Sequence, residues 1–217
     1  MTRKIVSVIL EFAVALSAAV GVALTAAMGV NGFLYFTVQS NLWVAAVLLV
    51  FAVWQTVQLR RGGEIPQWLW SIKFVFTVSI TLTGLVFCAV LAPTMKGAFN
   101  SAANVLTHVV VPLCSVADLF VAKRRTDAKT AWWSLAPPIY YLGFASLGYV
   151  LKWDFGYGAN YPYFFLNWGS PVGAFGFGGG GEYFMGTFWW ILVMLALVSG
   201  IAFLYRAILN RITKAKN

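Results

Sequence analysis

Phe36-Thr37-Val38-Gln39-Ser40-Asn41 heads a run, Leu42-Trp43-Val44-Ala45-Ala46-Val47-Leu48-Leu49-Val50, that stays apolar to about residue 59. About 20 such residues cross a ~30 Å hydrocarbon core as a helix. Five further runs read the same way, at roughly 5–28, 72–93, 102–122, 132–150 and 186–209. They are apolar nearly all round, as helices surrounded by lipid are. No repeat of 20–50 residues is visible. The predicted fold is all-α: one integral membrane domain over 1–217, a six-transmembrane-helix bundle. A long aromatic- and glycine-rich external segment, 151–185, lies between the fifth and sixth helices.

Composition agrees. Of 217 residues, 61% are apolar and 10% charged, and mean hydropathy is +0.81. A soluble domain is about 45–50% apolar and about 25% charged. This excludes a water-soluble enzyme, a disordered chain and a nucleic-acid-binding domain, and two cysteines exclude a disulfide scaffold. The net charge of +9 is no sign of a polyanion partner, because the charges sit between the apolar runs. Arg3 and Lys4 precede the first span. Arg60, Arg61 and Lys73 flank the second connection. Lys123, Arg124, Arg125 and Lys129 fill the fourth, and Arg206, Arg211, Lys214 and Lys216 close the chain. With six spans, 13 of the 15 basic residues lie on one side, and only Lys96 and Lys152 on the other. Cytoplasmic loops carry such an excess. The expectation is a multi-pass protein of the plasma (inner) membrane with both termini cytoplasmic. The start resembles a secretory signal, but the apolar stretch is span-length and Glu11 interrupts it, which favours a retained helix. Cys88 and Cys114 fall inside spans and read as small apolar fillers.

Segment 151–185 holds 12 aromatic residues and nine glycines, four of them consecutive at Gly178–Gly181. Trp and Tyr favour the headgroup level, and non-helical backbone there must be covered by protein or line a cavity. Two readings stand: a structured cap over an outer-leaflet cavity, with Gly178–Gly181 a hinge, or an anchoring belt with a slack linker.

Polar residues inside the spans carry the chemistry, since at membrane depth they are costly and face the bundle interior. Thr37, Ser40 and Asn41 share one helix face by their i, i+3, i+4 spacing. Ser101, Asn104, His108 and Ser115 form a second stripe. Spans two and four both begin outside, so Thr37, Asn41, Asn104 and His108 share the outer half of the membrane. Pro112 cannot donate to the His108 carbonyl, which bends the helix beside the chain's single histidine. Thr37 reads either as a helix N-cap or as a nucleophile where free N–H groups and the helix dipole favour negative charge. Glu11 and Asp118 lie toward the other half. Asp118 is about 15 Å along the helix from His108, too far to orient it, and either pairing with a basic residue such as Lys123 or Arg125 or protonation in place is expected.

Phe36-Thr37-Val38-Gln39-Ser40-Asn41 resembles the F-T-x-x-S-N start of the second span in the androgen-induced-gene family of six-span membrane lipid hydrolases, which has bacterial relatives. His108 to Pro112, followed by Asp118 and Phe120, resembles its H-x-x-x-P stretch. Pro137-Pro138-Ile139-Tyr140 resembles its fifth-span segment. Tyr161-Pro162-Tyr163-Phe164-Phe165-Leu166-Asn167 is similar to its Y-P-Y-P-F-L-D, departing at Phe164 and Asn167. The resemblance implies hydrolysis of fatty acid esters of hydroxy fatty acids or similar lipid esters. Thr37 would be the nucleophile and His108 the base, passing through an acyl-threonine. Asn41, Ser40 and Asn104 are the candidate oxyanion- and substrate-binding groups. A backbone carbonyl, Ser40 or a tyrosine of 151–185 would orient His108. The implied partner is a membrane lipid or lipid ester; no cofactor and no metal are implied. Two rivals remain at this level: a small transporter or channel with Glu11, Asp118 and His108 as its polar path, and a non-catalytic scaffold whose polar stripes join helices.

Overall fold

The structure, a computed structural model of the chain, describes residues 2–27, 29 and 31–214. It is all-helical, and among the described residues the β contact is an isolated bridge between Phe177 and Met185. In chain order the helices are α1 (Thr2–Ala27), α2 (Phe36–Arg61), α3 (Gln67–Thr94), α4 (Ala102–Ala122), α5 (Ala128–Trp133), α6 (Ala136–Val150) and α7 (Thr187–Lys214). Among the described residues five of these, all but α5 and α6, are long and apolar enough to cross a membrane. The chain is a multi-pass membrane protein. Large aliphatic side chains such as Leu16, Val53, Leu113 and Leu204 are more than half exposed on its flanks, which is stable only against hydrocarbon.

The run expected as one span at 132–150 is broken. Pro137 and Pro138 have no N–H to donate to the carbonyls of Trp133 and Ser134, and the helix breaks there. The chain instead closes α5 with tight turns, Ser134 N–H to Ala131 O and Leu135 N–H to Trp132 O, and restarts as α6. Asp127 caps α5 by accepting the Thr130 N–H at 2.6 Å.

Helix α3 is the axis of the bundle. Residues 77–84 are buried without interruption, whereas each other helix shows one face to the outside. The reason lies in its side chains: Thr77, Ser79, Thr81, Thr83 and Gly84 are small enough for close approach of neighbouring helices. Thr81 and Thr83 return their hydroxyl hydrogens to the carbonyls of Thr77 and Ser79, whereas the hydroxyls of Thr77 and Ser79 are buried without a partner. Helices α2, α4 and α7 pack around α3, and α1 packs in turn on α2 and α4.

At one end of this axis lies a fully buried charge cluster. Lys73 Nζ stands 2.6 Å from Glu11 Oε1 and 2.5 Å from Asp118 Oδ2, with all three side chains at 0% exposure. Ser7 donates to Asp118 Oδ1 at 2.5 Å, and Gln55 to Glu11 Oε1 at 2.6 Å. The Phe51 ring lies beneath the ammonium, 4.5 Å from it. One expectation is corrected here: Asp118 pairs with Lys73 rather than with Lys123 or Arg125. The pairing is favoured because desolvated carboxylates need a desolvated cation, and the stem of Lys73 reaches them without leaving the core. The cluster joins α1, α2, α3 and α4.

Lys73→Met strands two carboxylates in the core and should cost about 3–5 kcal/mol. Unfolding in graded denaturing detergent measures this. The triple change Glu11→Gln, Lys73→Met, Asp118→Asn, which removes the charges together, should recover much of the loss.

A candidate active site at the head of helix α2

Helix α2 begins without a side-chain cap: its N-cap, Tyr35, makes no such bond. Thr37 is the second residue of the helix, not the N-cap, so its hydroxyl is not consumed in capping. Its N–H, one of the orphan donors of the first turn, points at the hydroxyl of Tyr163 at 3.4 Å.

The partner of the Thr37 hydroxyl is His108. Thr37 Oγ1 lies 3.1 Å from His108 Nε2, although 71 residues separate them. The other ring nitrogen fixes the direction of this bond. His108 Nδ1 is 3.1 Å from the Asn104 carbonyl, and a carbonyl can only accept. Nδ1 therefore carries the hydrogen, Nε2 carries the lone pair, and Thr37 donates to it. Thr107 Oγ1, also 3.1 Å from Nδ1, already donates to Ala103 O and so accepts at Nδ1 as well. The orienting group is thus a backbone carbonyl, one of the three kinds expected. One face of the imidazole is covered by Phe87, stacked at 3.7 Å between centroids and 16° between planes.

Pro112 shapes this part of α4. Instead of a simple bend, residues Leu106–Val110 form a π turn. The Val111 N–H donates to Leu106 O, and Pro112 has no N–H to offer, so the Thr107 carbonyl loses its helical donor. Asn41 fills that vacancy: its Nδ2 donates to Thr107 O at 3.2 Å and to Thr37 O at 2.8 Å. Both amide hydrogens of Asn41 are spent as a clamp between α2 and α4, and none remains for an oxyanion. Asn104 commits one of its two amide hydrogens, its Nδ2 donating to Ala98 O at 2.9 Å. Ser40 joins α2 to α3 through Thr83 at 2.8 Å. The tight seat of the π turn depends on Gly84, where an added Cβ would lie 2.9 Å from the His108 carbonyl oxygen and 3.0 Å from Pro112.

Segment 151–185 folds back over this end of the bundle. Tyr35 donates to Phe155 O and Asn31 to Asp154 O, both at 2.6 Å. The Gly178–Gly181 run forms a closed reversal, tied at its base by Gly178 N–H to Phe184 O, with positive φ at Gly178, Gly180 and Gly181. From this segment Tyr163 brings its hydroxyl to 3.5 Å from Thr37 Oγ1. A narrow apolar cleft of about 80 Å³ runs from Thr37 between α3, α6 and α7, walled by Val86, Phe87, Leu142, Phe165, Met194 and Leu195.

Thr37, His108, Asn104, Asn41 and Ser40 are therefore gathered at one place. Glu11 and Asp118 are not; they sit with Lys73 in the separate buried cluster. Sequence reading missed Tyr163, Phe87 and Lys73 as participants. Tyr163 lay in the aromatic segment without any spacing that would single it out. No family model, curated protein or solved structure matches the chain.

Burial pushes the Tyr163 phenol up to about 12 from an ordinary 10, with the N–H and hydroxyl of Thr37 drawing it part of the way back. A raised value keeps the neutral form, so the hydroxyl stays a donor throughout the neutral range. Phenolate absorbance missing from Tyr163→Phe but present in the parent should therefore appear only near pH 12. A Tyr163 titration at 10 would contradict its burial beside Thr37.

Proposed function

We propose that the protein is an intramembrane hydrolase of lipid esters, with Thr37 as nucleophile and His108 as general base. The observation that carries this reading is the 3.1 Å contact between Thr37 Oγ1 and His108 Nε2, with the imidazole held as the Nδ1–H tautomer. An alcohol hydrogen-bonded to an oriented imidazole beside an apolar cleft is the arrangement that acyl transfer needs. The resemblance of the span-two, span-four and span-five motifs to the androgen-induced-gene family supports the same reaction and the same pair.

The bond changes follow. Thr37 Oγ1 attacks the ester carbonyl carbon and its proton passes to His108 Nε2. The tetrahedral oxyanion is met by the Tyr163 hydroxyl and by the Thr37 N–H, which the helix dipole supports. Collapse breaks the ester C–O bond, and the departing alkoxide takes the proton from Nε2. Water then attacks the acyl-threonine with His108 again as base, releasing the acid and restoring Thr37. The cleft is smaller than the ~150 Å³ that holds a benzene, so a long acyl chain must continue outward between helices into lipid. That geometry favours substrates already dissolved in the bilayer.

The membrane arrangement belongs to the same proposal. Residues 128–150, α5 and α6 together, form a sixth crossing with a break at Ser134 and Leu135. Both termini are cytoplasmic, which sets the site at the outer leaflet under segment 151–185. The supporting observation is that Arg60, Arg61, Arg125, Lys129 and Arg211 lie away from the Thr37 end.

A fluorophosphonate probe tests the assignment. Labelling should vanish in Thr37→Ala and His108→Ala with folding intact, and persist in Thr37→Ser. Labelling that survives Thr37→Ala would refute the nucleophile. Tyr163→Phe should lower kcat by about 10²–10³, the loss typical of one oxyanion donor, with KM changed little. If ester turnover is untouched in Tyr163→Phe, the donor is another group.

A further inference from the structure

At the far end of the 26-residue α2, remote from Thr37, a cavity of about 700 Å³ opens between the start of α1, the end of α2 and the end of α4. Small-molecule sites span ~300–1,000 Å³. Arg3, Lys4, Lys123 and Arg124 line it, together with the amides of Gln55 and Gln58, and Glu64 is the acidic residue on its wall. We infer that this cavity binds the phosphate of an anionic phospholipid headgroup.

Three observations carry it. First, the guanidinium groups are held in place. Arg3 donates to the carbonyls of Val121 at 3.1 Å and Ala122 at 3.0 Å, and Arg124 donates to the carbonyl of Ile65. Each guanidinium has five N–H donors, so these bonds leave several free, in a fixed orientation suited to phosphate oxygens. Second, Lys123 ends α4 in the left-handed conformation, φ 50° and ψ 59°. Glycine is the residue that occupies such a helix end without strain. A lysine stands there on the cavity wall at the expense of backbone comfort. Third, an apolar groove lies beside the cavity on the outer face of α2, lined by Leu49, Val50, Val53, Trp54 and Val57, with Gln58 on the wall of both. A basic cavity next to an apolar groove fits a headgroup with its acyl chain attached, and basic pockets between helices hold such headgroups elsewhere. A soluble phosphate ester would share the headgroup chemistry but leave the groove unused.

The test is native mass spectrometry of the intact protein in detergent, mixed with equal amounts of phosphatidylglycerol and phosphatidylcholine of matched chains. Phosphatidylglycerol should be retained preferentially. Each basic residue near an anionic surface is worth about fivefold, so Lys4→Gln with Lys123→Gly should weaken retention about 25-fold. Because Lys123→Gly relieves a strained residue, that variant alone should melt no lower than the parent, which separates lost binding from lost folding. Arg3 and Arg124 are left intact because they tie helix ends together. Equal retention of the two lipids, or a preference unchanged in the double variant, overturns the inference. Displacement of the lipid by millimolar glycerol phosphate overturns the lipid assignment and gives the cavity to a soluble phosphate ester.

Discussion

Backbone polar groups inside a membrane must find partners within the protein, and Pro112 breaks that rule where it matters most. A missing N–H on α4 leaves the Thr107 carbonyl without its helical donor. The bundle answers with Asn41, whose amide spans from α2 to fill the gap. That single repair ties the head of α2 to the π turn of α4. It is also what brings Thr37 and His108, on separate helices, within one hydrogen bond of each other. The site is thus a by-product of hydrogen-bond accounting in a solvent that supplies none.

Helix α3 serves both ends of the molecule by different means. Near the π turn it offers Gly84, whose lack of a side chain lets the His108 backbone sit against it. At the other end it offers Lys73, whose charge holds Glu11 and Asp118 together. Close packing fixes the distance between α3 and α4 at one end, and electrostatics fixes it at the other. Together they set the rotation of α4 about its axis, and so the direction in which His108 faces.

Much of this was legible in the sequence, and the parts that were not have physical reasons. Five of the six apolar runs map onto long helices because lipid demands a length and a hydrophobicity that any reader can count. The run at 132–150 divides because two adjacent prolines override hydropathy, and Pro137-Pro138 was visible as the cause. Thr37, Asn41, Asn104 and His108 were placed at one depth by helical spacing. Lys73 was read only as flanking the second connection, because it lies one residue inside the expected start of its span. Only three-dimensional packing reveals the two carboxylates that draw it inward. The role of Asn41 was read as reaction chemistry, whereas its hydrogens go to carbonyls that the sequence cannot orphan without knowing the turn type. Tyr163 belongs to an irregular segment, where no periodicity announces which of many aromatic rings turns inward.

The phenyl ring of Phe87 lies flat on the His108 imidazole. Aromatic faces offer no lone pair, so the imidazole can exchange hydrogen only through its rim. One rim atom is occupied by the Asn104 carbonyl and the other by Thr37. With Nδ1 engaged, Nε2 is the one ring nitrogen left to exchange a proton, and the stacked ring keeps that atom turned toward Thr37.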